Sequence, residues 1–222
     1  MKFYKLTKSK NQYDNTPRFK SGINKIPYPI PFKELKLFNN LNVLSGLRLF
    51  TREYIYDVKS VGDEHLNIYP DMSIAEFTDA RIASITLKNR RIMNTETITE
   101  LLEDGADVHI SDDYPIIYAV HISDFKLFDL FIKSGANINA RSGYPLRLAS
   151  GLGYPKLLKK MIECGVDLEL SGEQALISAV INGQIEIIEI LLDYGVKPDS
   201  VISNLSTDTP LEIINLLYTY KG

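Results

Sequence analysis

A single cysteine, Cys164, in 222 residues excludes an internal disulfide and any zinc site built on several thiolates, and tryptophan is absent. Histidine is almost as scarce. His65, His109 and His121 stand far apart, without the HExxH spacing that would set two imidazoles on one helix face, so neither a metal nor a cofactor is expected. No window approaches the roughly 18 continuous apolar residues of a membrane span. The opening MKFYKLTKSK lacks the apolar run of a secretion signal, so the expectation is an intracellular protein without a membrane segment, its Asn204-Leu205-Ser206 sequon unused. Gly151-Leu152-Gly153 lacks the preceding strand and further glycine spacing of a dinucleotide loop, and Asp112-Asp113 lacks the regularly spaced oxygens of a calcium loop.

Charge of both signs is plentiful but unevenly placed. Residues 1–94 carry sixteen Lys/Arg against nine Asp/Glu, whereas residues 95–222 carry nine against nineteen. That reversal divides the chain into a basic domain, 1–94, and an acidic one, 95–222.

The acidic half has a metre. Gly105, Gly135, Gly165 and Gly195 recur every 30 residues, each closing an apolar segment (LLEDGADV, FIKSGANI, MIECGVDL, LLDYGVKP). Ala119, Ala149 and Ala179 keep the same step, as do Ile116, Leu146 and Leu176, so the register runs through the whole unit. A period of this length marks stacked supersecondary units that cannot bury their apolar faces singly. Within one unit, Pro145 opens a short helix (LRLASGLG) and KLLKKMIEC forms a second that ends at Gly165. Proline suits a first helical turn because its missing N–H would have no partner there, and glycine suits the residue after the last turn. Thr97 and Glu100, and likewise Thr209 and Glu212, have capping-box spacing and predict helix starts at those threonines.

YPLRLAS at 144–150, with YPIIYAV at 114–120, QALISAV at 174–180 and IEIIEILLDYGV at 185–196, resembles the ankyrin repeat, whose fold is a turn or finger followed by two antiparallel helices. The resemblance covers three full repeats, about 113–198, with half-repeat caps before and after. Arg147 stands where the family carries a turn-tying histidine, with Ile117 and Ile177 at the equivalent places. The period is also shorter than the family's, and the missing residues fall in the finger.

Residues 1–94 lack the register. FYKLT (3–7), LNVLSGLRLF (41–50), REYIYDV (52–58) and ARIASITL (80–87) read as strands, and KIPYPIP (25–31) reads as neither helix nor central strand because its prolines lack donors. The fold class expected is therefore an α+β or mostly β amino-terminal domain followed by an all-α ankyrin solenoid. The succession FYKLT, FKSGIN, GLRLF and DARIASITL, together with PLRLAS, resembles the ankyrin proteins of giant DNA viruses of amoebae, the mimivirus type. That resemblance implies a viral protein acting in a host cell, in its cytoplasm, and supplies no catalytic residue.

A stack offers a surface rather than a pocket, so the function expected is protein–protein interaction and not catalysis. By analogy with ankyrin binding, the partner-contacting residues are Asp112, Asp113, Arg141, Ser142, Ser171, Glu173 and Gln174 at the fingers. His121, Ile122, Leu152, Ile181 and Asn182 join them on the concave face of the first helices. Acidic fingers with apolar spots predict a folded protein or a basic extended peptide as partner. The alternative is a small enzyme or nucleic-acid module in residues 1–94, with Asp57, Asp63, Glu64 or His65 as its acid–base groups, although overall acidity argues against nucleic acid. The apolar segment LEIINLLYTY predicts self-association through the carboxy-terminal helix.

Overall fold

The computed structural model describes the backbone of five strands within residues 3–92 and the whole chain over residues 94–221. Two compact units result, Met1–Ile110 and Ser111–Gly222. Their junction falls after the boundary read from charge at 94/95, and α1 (Thr95–Glu103) belongs to the first unit.

In that unit β1 (Phe3–Thr7), β2 (Gly22–Pro31), β3 (Leu37–Asn39), β4 (Tyr54–Val61) and β5 (Arg81–Ile92) pair antiparallel in the order β2-β5-β4-β1-β3. β2 lies at an edge, where missing N–H groups cost least, and its register with β5 breaks between Lys25 and Ile30, the stretch that holds Pro27 and Pro29. Residues 41–50 and 63–65 lie outside the described residues.

The second unit is helical. After α2 (Ile110–His121) come α3 (Phe125–Lys133), α4 (Ala140–Leu152), α5 (Pro155–Glu163), α6 (Leu168–Ile181), α7 (Ile185–Asp193), α8 (Asp199–Ser203) and α9 (Leu211–Thr219). The nine-residue α3, α5 and α7 are below the length at which a helix holds in water, so packing must stabilise them. Rows of apolar residues at the 30-residue step supply it. Ile116, Leu146 and Leu176 are fully buried, as are Phe128, Leu158 and Ile188, and Phe131, Met161 and Leu191. Each such side chain contributes about 1.5–3 kcal/mol by leaving water. Ala119, Ala149 and Ala179 have no exposed surface either, and their small size lets neighbouring first helices approach.

The periodic glycines stop the helices with one repeated hydrogen-bond pattern. The Gly195 N–H donates to Leu192 O and the Val196 N–H to Leu191 O, while φ at Gly195 is +86°. Gly135 and Gly165 reproduce both bonds, as does Gly105 after α1 in the first unit. This is the Schellman closure.

Two helix starts differ from the capping boxes expected. α1 begins at Thr95 because the Asn94 side chain accepts from the Thr97 N–H at 3.0 Å, which places Thr97 inside the helix, 6% exposed. Asparagine is at least as good a cap as threonine, and starting there adds helical bonds. α9 begins after Pro210 with no side-chain cap, so Thr209 does not serve as one.

Candidate protein-docking surface

The fingers are built differently in successive repeats. Ser111, Asp112 and Asp113 all take left-handed φ, between 55° and 59°, before the right-handed helix starts with Pro115 in its first turn. Arg141, Ser142 and Gly143 do the same ahead of Pro145, at 51°, 55° and 75°. Three successive left-handed residues are costly for side chains bearing a Cβ, about 1–2 kcal/mol each, so tertiary contacts must hold them. Those contacts are visible. The Asn137 N–H donates to Asp113 Oδ1 at 2.8 Å, and Arg141 Nη2 donates to Ser111 O at 2.6 Å and lies 3.9 Å from Asp112 Oδ2. The Arg141 guanidinium also sits 5.9 Å from the centre of the Tyr114 ring.

At the third position the finger expected over 171–174 is absent. Asp167 caps the chain by accepting from the Leu170 N–H at 2.9 Å, and Ser171 Oγ donates to Asp167 O at 2.6 Å, so α6 runs unbroken from Leu168. One repeat earlier the matching Asn137 side chain accepts from the Asn139 N–H at 2.9 Å, and the Asn139 side chain in turn accepts from the Asp167 N–H at 2.9 Å. Ser171, expected at the surface, is 1% exposed and faces Gly143, whose absent Cβ would fall 2.0 Å from that of Ser171. Glu173 and Gln174 are exposed on the early turns of α6. Of the finger residues, then, Asp112 and Arg141 are paired, Asp113 is bonded to the Asn137 N–H, Ser142 is exposed beside them, and Ser171 is core.

The far ends of the first helices hold the other set. His121, Ile122, Leu152, Ile181 and Asn182 are all exposed, with Ile122 at 43%, Leu152 at 41% and Ile181 at 77%. One large apolar side chain thus reaches solvent at the end of each of α2, α4 and α6. Side chains from the following helix starts tie these ends together. Tyr154 Oη donates to His121 O at 3.4 Å, and Gln184 Nε2 donates to Gly151 O at 3.4 Å. A Cβ on Gly151 would fall 2.6 Å from Ser178 Oγ, so that hydroxyl would have to turn aside. Sequence reasoning missed Tyr154 and Gln184, although they stand one repeat apart and that spacing could have flagged them. It also missed Leu170, 51% exposed, and the Arg147 guanidinium, 5.0 Å from the Tyr144 ring centre.

Electrostatically the surface is mild. Arg141 offsets part of the finger acidity, while Glu169 and Glu173 remain exposed. Tyr118, half-buried on α2, has its hydroxyl pKa raised by burial first and by the Asp124 carboxylate second. Among the described residues no three His, Cys, Asp or Glu side chains gather as a metal-holding group. Nor is any helix there long and apolar enough to cross a membrane.

The family model for ankyrin repeats matches residues 116–204 in three copies. The chain is also similar to an ankyrin repeat protein of Acanthamoeba polyphaga mimivirus, 27% identical over 122 residues, which is 53% of this chain and 36% of that protein. The matched segment therefore spans about a third of the relative's length.

Proposed function

We propose that this chain, whose residues 116–204 are an ankyrin-repeat stack, serves a virus of amoebae as a protein-docking module inside the host cell. The observation that carries the reading is the set of three solvent-facing apolar side chains, Ile122, Leu152 and Ile181, at the ends of successive first helices. Isolated exposed apolar residues are ordinary, but Ile122 and Leu152 hold the same position in successive repeats and Ile181 stands one residue before that position in the third, a group that a partner can desolvate. Exposed Ser142, Glu173, Gln174, His121 and Asn182 supply polar rim contacts, and Asp112, Asp113 and Arg141 hold the finger shape that presents them. Residues 1–94 form, in this reading, a separate basic α+β domain.

Affinity capture from amoebal lysate tests the reading, using the intact chain beside a variant carrying His121→Ala, Leu152→Ser and Ile181→Ser. All three sites are exposed, so circular dichroism should match. A protein retained by the intact chain and lost from the variant is the expected result. Equal retention by both would place binding elsewhere.

A further inference from the structure

α9 ends the described helices, and its two sides are both apolar. Ile213 and Leu217 turn inward, 1% and 0% exposed, whereas Leu211 and Tyr218 are 75% and 53% exposed. A terminal solenoid element ordinarily shows solvent a polar face. Leu211, Ile214 and Tyr218 follow the i, i+3, i+7 spacing of one helix stripe. Outside the helix, exposed Asp208 stands three residues before Leu211 and exposed Lys221 three residues after Tyr218, so each end of the stripe is flanked by one charge. Read along the chain, the order is a flanking acid, then the stripe of leucine, isoleucine beside Asn215 and tyrosine, then a flanking base.

That order is its own complement when reversed, and we propose that α9 is the contact element of a homodimer. The same helix of a second copy packs antiparallel across a two-fold axis passing between Ile214 and Asn215. Leu211 of each copy then meets Tyr218 of the other, and Asp208 meets Lys221, each contact occurring twice, as an isologous interface requires. The charges specify direction, because a parallel arrangement would oppose Lys221 to Lys221 and Asp208 to Asp208. Lys221 already lies 5.4 Å from the Tyr218 ring centre, so cation and aromatic ring present one joint surface. Asn215 beside the axis is a single polar group in an apolar stripe, a device that fixes register while lowering affinity. Meanwhile Tyr220 Oη donates to Asp193 Oδ1 at 2.5 Å, which holds α9 to α7 of its own stack. One short helix pair buries less than the roughly 1,600 Å² of a standard interface, which puts the contact among the smaller, reversible ones.

Light scattering and sedimentation equilibrium of the full chain, from low micromolar to sub-millimolar concentration, test the proposal. The expected mass rises with concentration from 25.1 kDa toward twice that value. Lys221→Glu weakens association about tenfold. Adding Asp208→Lys restores it, and Leu211→Asp abolishes it with the circular dichroism unchanged. A monomer at every concentration overturns the proposal, as does a dimer indifferent to Leu211→Asp. Failure of the double charge reversal to restore association overturns the antiparallel register.

Discussion

Two glycines in the repeat stack have the same left-handed backbone and opposite surroundings, which permits a measurement of how tightly successive repeats meet. φ is +83° at Gly165 and +75° at Gly143. A Cβ on Gly165 would find nothing within 4 Å, while one on Gly143 would fall 2.0 Å from Ser171 Cβ and 2.8 Å from Ser171 Oγ. Gly165→Ala therefore reports conformational strain alone. That strain is about 1–2 kcal/mol, less about 0.4–1 kcal/mol from the stiffer unfolded chain, for a net loss near 1 kcal/mol. Gly143→Ala carries the same strain and adds overpacking of about 1–3 kcal/mol, because the opposing atom is Ser171 Cβ, which is fixed to the α6 backbone and which no change of rotamer moves. Urea unfolding followed by helix ellipticity should show Gly143→Ala as the more damaging change by that margin. In a double-mutant cycle Ser171→Gly should recover part of the difference, since it removes the opposing Cβ. Equal losses at the two glycines would refute the close Gly143–Ser171 approach.

Asn94→Ala should cost about 1 kcal/mol of helix stability by removing the side-chain acceptor at the start of α1, read as faster amide exchange of its first turn. Alkaline pH should destabilise the fold, and the sign follows from the two tyrosines. Tyr118 is raised by burial and Asp124, and Tyr220 by its bond to Asp193, then by burial and by the Asp193 and Glu189 charges. Their stabilising effect is complete below the unfolded pKa near 10 and is lost as pH rises through the higher folded values. Urea midpoints should fall above about pH 10, and Tyr220→Phe should flatten part of that fall; a midpoint independent of pH in this range would contradict both assignments.

Much of the stack was legible because its information is local and repeated. Equal glycine spacing gave the helix stops, and the apolar rows gave the buried faces, since both depend on a few neighbouring residues. Ser171 was misplaced for a physical reason. Its counterparts Ser111 and Arg141 lie in left-handed fingers, but Asp167 caps a right-handed helix at the third position, and periodicity cannot say which conformation a short polar segment adopts. Thr97 shows the same limit on a smaller scale, where two acceptable caps, Asn94 and Thr97, stood three residues apart and the earlier one prevailed. The pairing of Arg141 with Ser111 and Asp112 was illegible too, since it links residues about one repeat apart through a bend that no sequence pattern announces.

The bonds from Asp113 to the Asn137 N–H and from Asn139 to the Asp167 N–H have an asymmetry with a consequence for how such a protein changes over generations. One half of each joint is a main-chain N–H, which only a proline could delete. The side-chain half is open to loss by almost any change. A duplicated repeat would arrive with its backbone socket already in place, needing one suitable acid or amide on its neighbour to lock, so the array can lengthen or shorten by whole modules without both sides of a seam being reinvented.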